Sequence, residues 1–165
     1  MRGNPQTELS VYATAAMEEA LSAAIEREMR PWVEKMDAAS ALNTLLGFVQ
    51  QGFTYMPDQK QFGREKNFFC EENFFYHAND CEDRAVLFAK IVRILLGWNV
   101  ILLEYDDHVA TAVNVPSRRI KGHNIDINGE RYIACDPTYI GAPVGMAMPD
   151  CKQQKAQIYP LQQSE

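Results

Sequence analysis

The sequence predicts an α+β domain in which helices come first and pack, around one central helix, on an antiparallel sheet that follows. Three observations predict it. Apolar residues recur at helical spacing as far as Leu96. From Trp98 onward the period becomes strand-like. Asn128-Gly129 stands between two short β-prone runs and signals a hairpin with a type I′ turn. Helical segments gathered ahead of strands, rather than alternating with them, are the α+β pattern.

Leu9, Ala13, Met17, Leu21, Ile25 and Met29 place an amphipathic helix over residues 8–30, with Pro31 expected to end or re-aim it. A second helix is expected from Asp37, its cap, to Phe53, with Ala41, Leu42, Leu45, Leu46, Phe48, Val49 and Phe53 facing the core. Pro57 stops it, and residues 58–66 read as polar and irregular. An aromatic cluster follows, Phe68, Phe69, Phe74, Phe75 and Tyr76, suited either to closing the core or to lining a groove.

The central helix runs from Asp80 to Gly97. Asp80 is its N-cap, Asp83 completes a capping box, and Gly97 is the stop. Only Arg84, Lys90 and Arg93 interrupt its apolar surface, which predicts a buried helix. Strands are expected at 99–104 and 108–115, then a hairpin over 125–135. The tail reads as ordered loop, frayed from about Lys152. The reading is of one domain, 1–165, with a core at about 37–145, a helical extension at 1–36 and a tail at 152–165.

A net charge of −6 argues against a nucleic-acid surface, which needs a basic patch. The chain holds no apolar stretch long enough to span a membrane, and residues 1–30 lack the signal-peptide pattern. A start such as MRGNPQTE also fits a domain cut from a longer chain, so a cell-envelope location stays open, as does the oligomeric state. Cys70, Cys81, Cys135 and Cys151 have no CxxC spacing, which argues against a zinc ribbon or a thioredoxin-type motif. Two of them could pair.

Three chemistry-bearing residues fall at element ends: Cys81 opening the central helix, His108 opening a strand, and Asp136 closing the hairpin strand. A cysteine nucleophile needs a base, and the base needs a third group to orient it. The helix end favours a Cys81 thiolate, while Asp80, Glu82 and Asp83 oppose it. His77 and His123 do not fit the base role. A metal reading would combine Cys81, His108, Cys135 and Asp136. Alternation along the strand turns Cys135 and Asp136 to opposite sides, so no metal and no cofactor are expected.

Asn79-Asp80-Cys81-Glu82-Asp83, His108-Val109-Ala110 and Asp136-Pro137-Thr138 resemble the motifs of the transglutaminase-like superfamily of papain-type cysteine enzymes, small bacterial members above all. The resemblance covers about residues 37–145. It implies a papain/transglutaminase-like core with Cys81 as nucleophile, His108 as base and Asp136 as orienting acid. It further implies a thioester intermediate and a peptide or protein amide as substrate. Asn79 stands where many members have a small residue, and the aromatic that often follows the histidine motif is absent. The Cys81 N–H is one expected oxyanion donor, and Gln51, Tyr55 and Tyr76 are candidates for a second. Water resolving the thioester makes a protease or amidase; an amine makes a transglutaminase. The alternative is a non-catalytic peptide- or protein-binding module of a larger envelope protein.

Overall fold

The computed structural model describes residues 5–161, and side chains from Leu9 onward. Three helices lead: α1 (Pro5–Thr14), α2 (Glu19–Val33) and α3 (Ala38–Gln51). The strand β1 (Thr54–Tyr55), the short helices α4 (Asp58–Phe62) and α5 (Glu72–Phe75), and the strand β2 (Ala78–Asn79) lead into the central helix α6 (Cys81–Leu96). Strands β3 (Val100–Glu104), β4 (Val109–Val113), β5 (Asn124–Ile127) and β6 (Glu130–Cys135) follow, then α7 (Pro149–Lys152) and β7 (Gln157–Pro160). The main sheet is five-stranded and antiparallel, in the order β5-β6-β4-β3-β7, so the class is α+β. A separate two-stranded ladder, β1 with β2, is parallel.

α6 forms where its end signals lie. The Asp83 N–H donates to Asp80 Oδ1, and the Asp80 N–H donates to Asp83 Oδ2. At the other end Gly97 has φ +69°, and its N–H returns to the carbonyls of Val92 and Arg93. Arg30 of α2 donates to the carbonyls of Ile94 and Leu95, satisfying the last turn from outside. Packed by α1, α2, α3 and α5 and laid on β3 and β4, α6 is the centre of the fold. Phe88, Ile91, Val92, Val113 and Ile133 are no more than 2% exposed. The hairpin turn also forms as expected: Asn128 and Gly129 both take positive φ, 52° and 83°.

The sheet is covered on both faces. Val100, Leu102, Val109, Val113, Ile133 and Cys135 share the main core with α6. Ile101, Leu103, Tyr105, Ala110, Ala112 and Tyr132 form a second cluster closed by Cys151 and Met148. Among the described residues no helix is long and apolar enough to cross a membrane.

Four sequence expectations are corrected. The helix placed at 8–30 is two helices, broken at 15–18. The break is held by groups distant in sequence: the Glu18 N–H donates to Glu71 Oε1 at 2.6 Å, and Lys90 Nζ donates to the Ala15 carbonyl. The stripe survives the break, because Leu9, Ala13, Ile25 and Met29 are all buried in the main core. Pro31 does not end α2. Its exposed ring lies inside the last turn, and burial of Met29 and Val33 on either side offsets the lost N–H bond. Part of the segment read as irregular is the helix α4.

The fourth correction concerns the tail, which is not frayed from Lys152. α7 forms, and β7 pairs with the outer edge of β3, satisfying its open backbone groups, while Leu161 is buried in the main core. Residues 162–165 lie outside the described residues. Because the core runs from Leu9 to Leu161, the segments read as extension and tail belong to it.

Arg84 is wholly buried in α6, and its guanidinium ties three segments together. Nε donates to Asn79 Oδ1 at 2.8 Å, Nη2 to the Phe53 carbonyl at 2.9 Å, and Nη1 to the Gln50 carbonyl at 3.4 Å. A lysine ammonium cannot reproduce that planar fork. Arg84→Lys should therefore lower the unfolding free energy by about 2 kcal/mol, the cost of leaving a buried acceptor unmade. Urea unfolding of the two proteins, compared at equal m-value, measures it.

Candidate active site

Cys81 is the first residue of α6, directly after the capping residue Asp80. It is half-buried and carries a free thiol, as do Cys70, Cys135 and Cys151; no disulfide forms among the described residues. The backbone N–H of Val109, at the start of β4, lies close enough to its sulfur to favour the thiolate. His108 is the residue immediately before. The helix start and the strand start thus meet.

His108 Nε2 lies 2.7 Å from Asp136 Oδ2. An ionised carboxylate only accepts, so this bond places the proton on Nε2 and leaves Nδ1 as the nitrogen able to take one. The His108 side chain is 13% exposed and that of Asp136 3% exposed, which shields the bond from water. Asp136 is held in turn: its Oδ1 accepts from the N–H groups of Thr138 and Tyr139 at 2.9 and 3.1 Å. The Asp-Pro-Thr segment therefore forms a turn in which the carboxylate is both anchored and aimed.

Cys81 is not a resting thiolate. Burial raises its pKa to about 12; the Val109 N–H opposes this, and the nearby charges of Asp80, Glu82 and Asp136 add to it. Burial, reinforced by the carboxylates, opposes the helix end that favours a thiolate. Proton removal must then accompany attack, and a base close at hand is required.

No family model, curated protein or solved structure matches this chain. The site therefore stands on its own geometry.

The three oxyanion candidates sit in different surroundings. Tyr55, in β1, lies under the Arg84 guanidinium at 5.5 Å from the ring centroid. Burial raises its hydroxyl pKa, and the charges of Cys81 and Asp80 raise it further. Gln51 is a correction: it is exposed and lines a shallow depression with Trp32, Thr44 and Phe48. Tyr76 is another. It stacks on Phe68 and meets Phe62 edge-on, with both ring centroids 5.0 Å away, and Lys66 lies over its ring, so its role is packing.

The residue that sequence reasoning missed is Gln50. It is 3% exposed, and its Nε2 donates to the carbonyls of Asp136 and Ala142, both at 3.0 Å. Its Oε1 accepts from the Gly141 N–H. Gln50 so clamps the Asp136 loop to α3. The signal was present: Gln50 follows Leu46 by one helical turn and sits on the buried face, where an amide needs a reason.

Cys135 is wholly buried in the main core while Asp136 faces His108, so the two do point apart along the chain. His77 is exposed. The His123 N–H donates to the Gly145 carbonyl, and its carbonyl accepts from the Ala134 N–H.

A second feature surrounds the helix start. Burial, then the neighbouring carboxylates, push Glu82 up to about 7. Burial likewise raises Asp58 to about 6, against the Lys66 N–H that it accepts, and Asp83 is raised by burial and by Asp80.

Proposed function

We propose that the chain is a transglutaminase-like cysteine hydrolase or acyl transferase with a papain-type core, acting on an amide carbonyl of a peptide or protein. The observation that carries this reading is the 2.7 Å bond from His108 to Asp136 at the strand end where the Cys81 sulfur meets the Val109 N–H. Cys81 attacks the carbonyl carbon while His108 Nδ1 takes the thiol proton. The resulting oxyanion is held by the Cys81 N–H and the Tyr55 hydroxyl. Collapse expels the amine, which receives the proton from His108, and leaves a thioester on Cys81. Water or a second amine, deprotonated by the same nitrogen, then releases the acyl group. Asp136 keeps the proton on Nε2 and stabilises the imidazolium.

The raised thiol pKa favours the second reading, a binding module that keeps the fold without turnover. Alkylation by an iodoacetamide probe separates the two. Cys81 should be the modified residue, since Cys70, Cys135 and Cys151 are 2%, 0% and 5% exposed. With His108 as base, His108→Ala should slow labelling by on the order of 10²-fold, and Cys81→Ala should abolish it with an unchanged circular dichroism melt. Equal labelling rates in the wild type and in folded His108→Ala would favour the binding module.

A further inference from the structure

Beside the break between α1 and α2, at the C-terminal end of α6, lies a cavity of about 320 Å³. Met17 of the break and Ser22 of α2 border it on one side, Lys90, Arg93 and Ile94 of α6 on another, and Trp98, just past the Gly97 stop, on a third. Its size falls at the lower end of small-molecule pockets, about 300–1,000 Å³. Arg93 lies about 18 Å along the helix from Cys81, so this cavity is separate from the site described above.

Its lining sets charge beside apolar surface. Lys90 and Arg93 are half-buried and three residues apart, so they share one face of α6 and repel each other. Among the described residues no carboxylate lines the cavity. Burial lowers the Lys90 pKa and the Arg93 charge adds to this, against Cys70 and Glu71. Lys90 Nζ commits one of its three donors to the Ala15 carbonyl, which fixes the ammonium at the break and leaves donors for a guest. The α2 acids Glu19 and Glu26 line a neighbouring depression that shares Met17 and Ser22, and there Glu26 pairs with Arg30 at 2.8 Å. A helix C-terminus draws cations by itself. Here the carbonyls of Val92 to Leu95 are already met by the Gly97 N–H and by Arg30, which weakens their opposition to an anion. Met17, Ile94 and Trp98 pack partly buried on the main core and supply the apolar side.

We propose that this cavity binds a small amphiphilic carboxylate, its anionic head on Lys90 and Arg93 and its apolar body against Trp98, Met17 and Ile94. A guanidinium offers paired N–H groups that match the two oxygens of a carboxylate, and an ammonium adds a compact charge. The anion offsets the repulsion between the two cations. Because Lys90 also reaches Ala15, the guest ties the α1–α2 break to the last turns of α6. The site stands whether or not Cys81 is a nucleophile.

Tryptophan fluorescence of the full chain tests it. The chain has two tryptophans, and Trp32 is 44% exposed, so Trp32→Phe leaves Trp98 as the reporter at little risk to folding. Sodium octanoate should change Trp98 emission along a saturable curve. Octanamide, which lacks the charge, and inorganic phosphate, which lacks the apolar body, should each bind about tenfold or more weakly. In the same background Arg93→Gln should weaken octanoate binding by a similar factor, and Ser22→Phe, which fills the cavity without changing its charge, should abolish saturation. Far-UV circular dichroism checks that each variant is folded. A response that does not saturate, octanamide or phosphate binding as tightly as octanoate, or folded variants that bind octanoate as their parent does, would overturn the proposal. No readout uses turnover, so its failure is distinct from failure of the cysteine-enzyme reading.

Discussion

Asp136→Asn should lower turnover by on the order of 10⁴-fold while the chain stays folded. The carboxylate accepts the His108 Nε2 proton at 2.7 Å, which leaves Nδ1 free as the base. An asparagine keeps one oxygen for the Thr138 and Tyr139 N–H groups, so the turn survives. Its amide NH₂ then faces Nε2 and reverses the tautomer, placing the proton on Nδ1, where the base is needed. Cys81 loses its proton acceptor, and its buried thiol, raised to about 12, does not ionise unaided. The comparison to make is kcat on any amide or activated ester that the wild type turns over, alongside thermal melts of both proteins. Retained turnover in a folded variant would remove Asp136 from the mechanism.

Phe88→Ala should cost about 3–5 kcal/mol of unfolding free energy. Phe88 is wholly buried in α6, the helix on which α1, α2, α3, β3 and β4 all converge. Elements arriving from several sides cannot all close into the space that a phenyl ring leaves, so the cavity persists. Against a typical total of about 5–15 kcal/mol, that loss brings the chain close to unfolding. Guanidinium titration reads it directly as a fall in midpoint at constant m-value. A loss below about 1 kcal/mol would mean that the site repacks, contrary to a rigid core.

The candidate site was legible to the extent that its parts carry local signals. Cys81 at a capped helix start, His108 at a strand start and Asp136 in a turn after a hairpin strand were each visible from spacing. The structure adds the 2.7 Å bond between the last two and packs α6, which Cys81 opens, against β4. The candidates for a second oxyanion donor differ only in position. Gln51, Tyr55 and Tyr76 are alike as hydrogen-bonding residues, yet Tyr55 lies against Arg84 of α6, Tyr76 packs among aromatic rings and Gln51 faces outward. Gln50 was passed over for its neighbour because one residue along a helix turns a side chain by about 100°. That turn separates a clamp on Asp136 from a surface amide.

By itself the sequence determined α6 with both its ends, the hairpin turn at Asn128-Gly129, the apolar stripe of the N-terminal helices and the order of helices before strands. Each is written in residues within a few positions of one another: a capping pair, a glycine that accepts positive φ, a period of 3.6 or 2. Only the tertiary structure decided the break at residues 15–18, the addition of β7 to the edge of β3, and the gathering of Asp58 and Glu65 with the acids around Cys81. Those features depend on partners 50 or more residues apart for Glu18 with Glu71 and for β3 with β7, and on a two-residue ladder too short to show any period. Local propensity sets which elements form. The side-chain and backbone groups they leave unsatisfied are matched only when the elements meet.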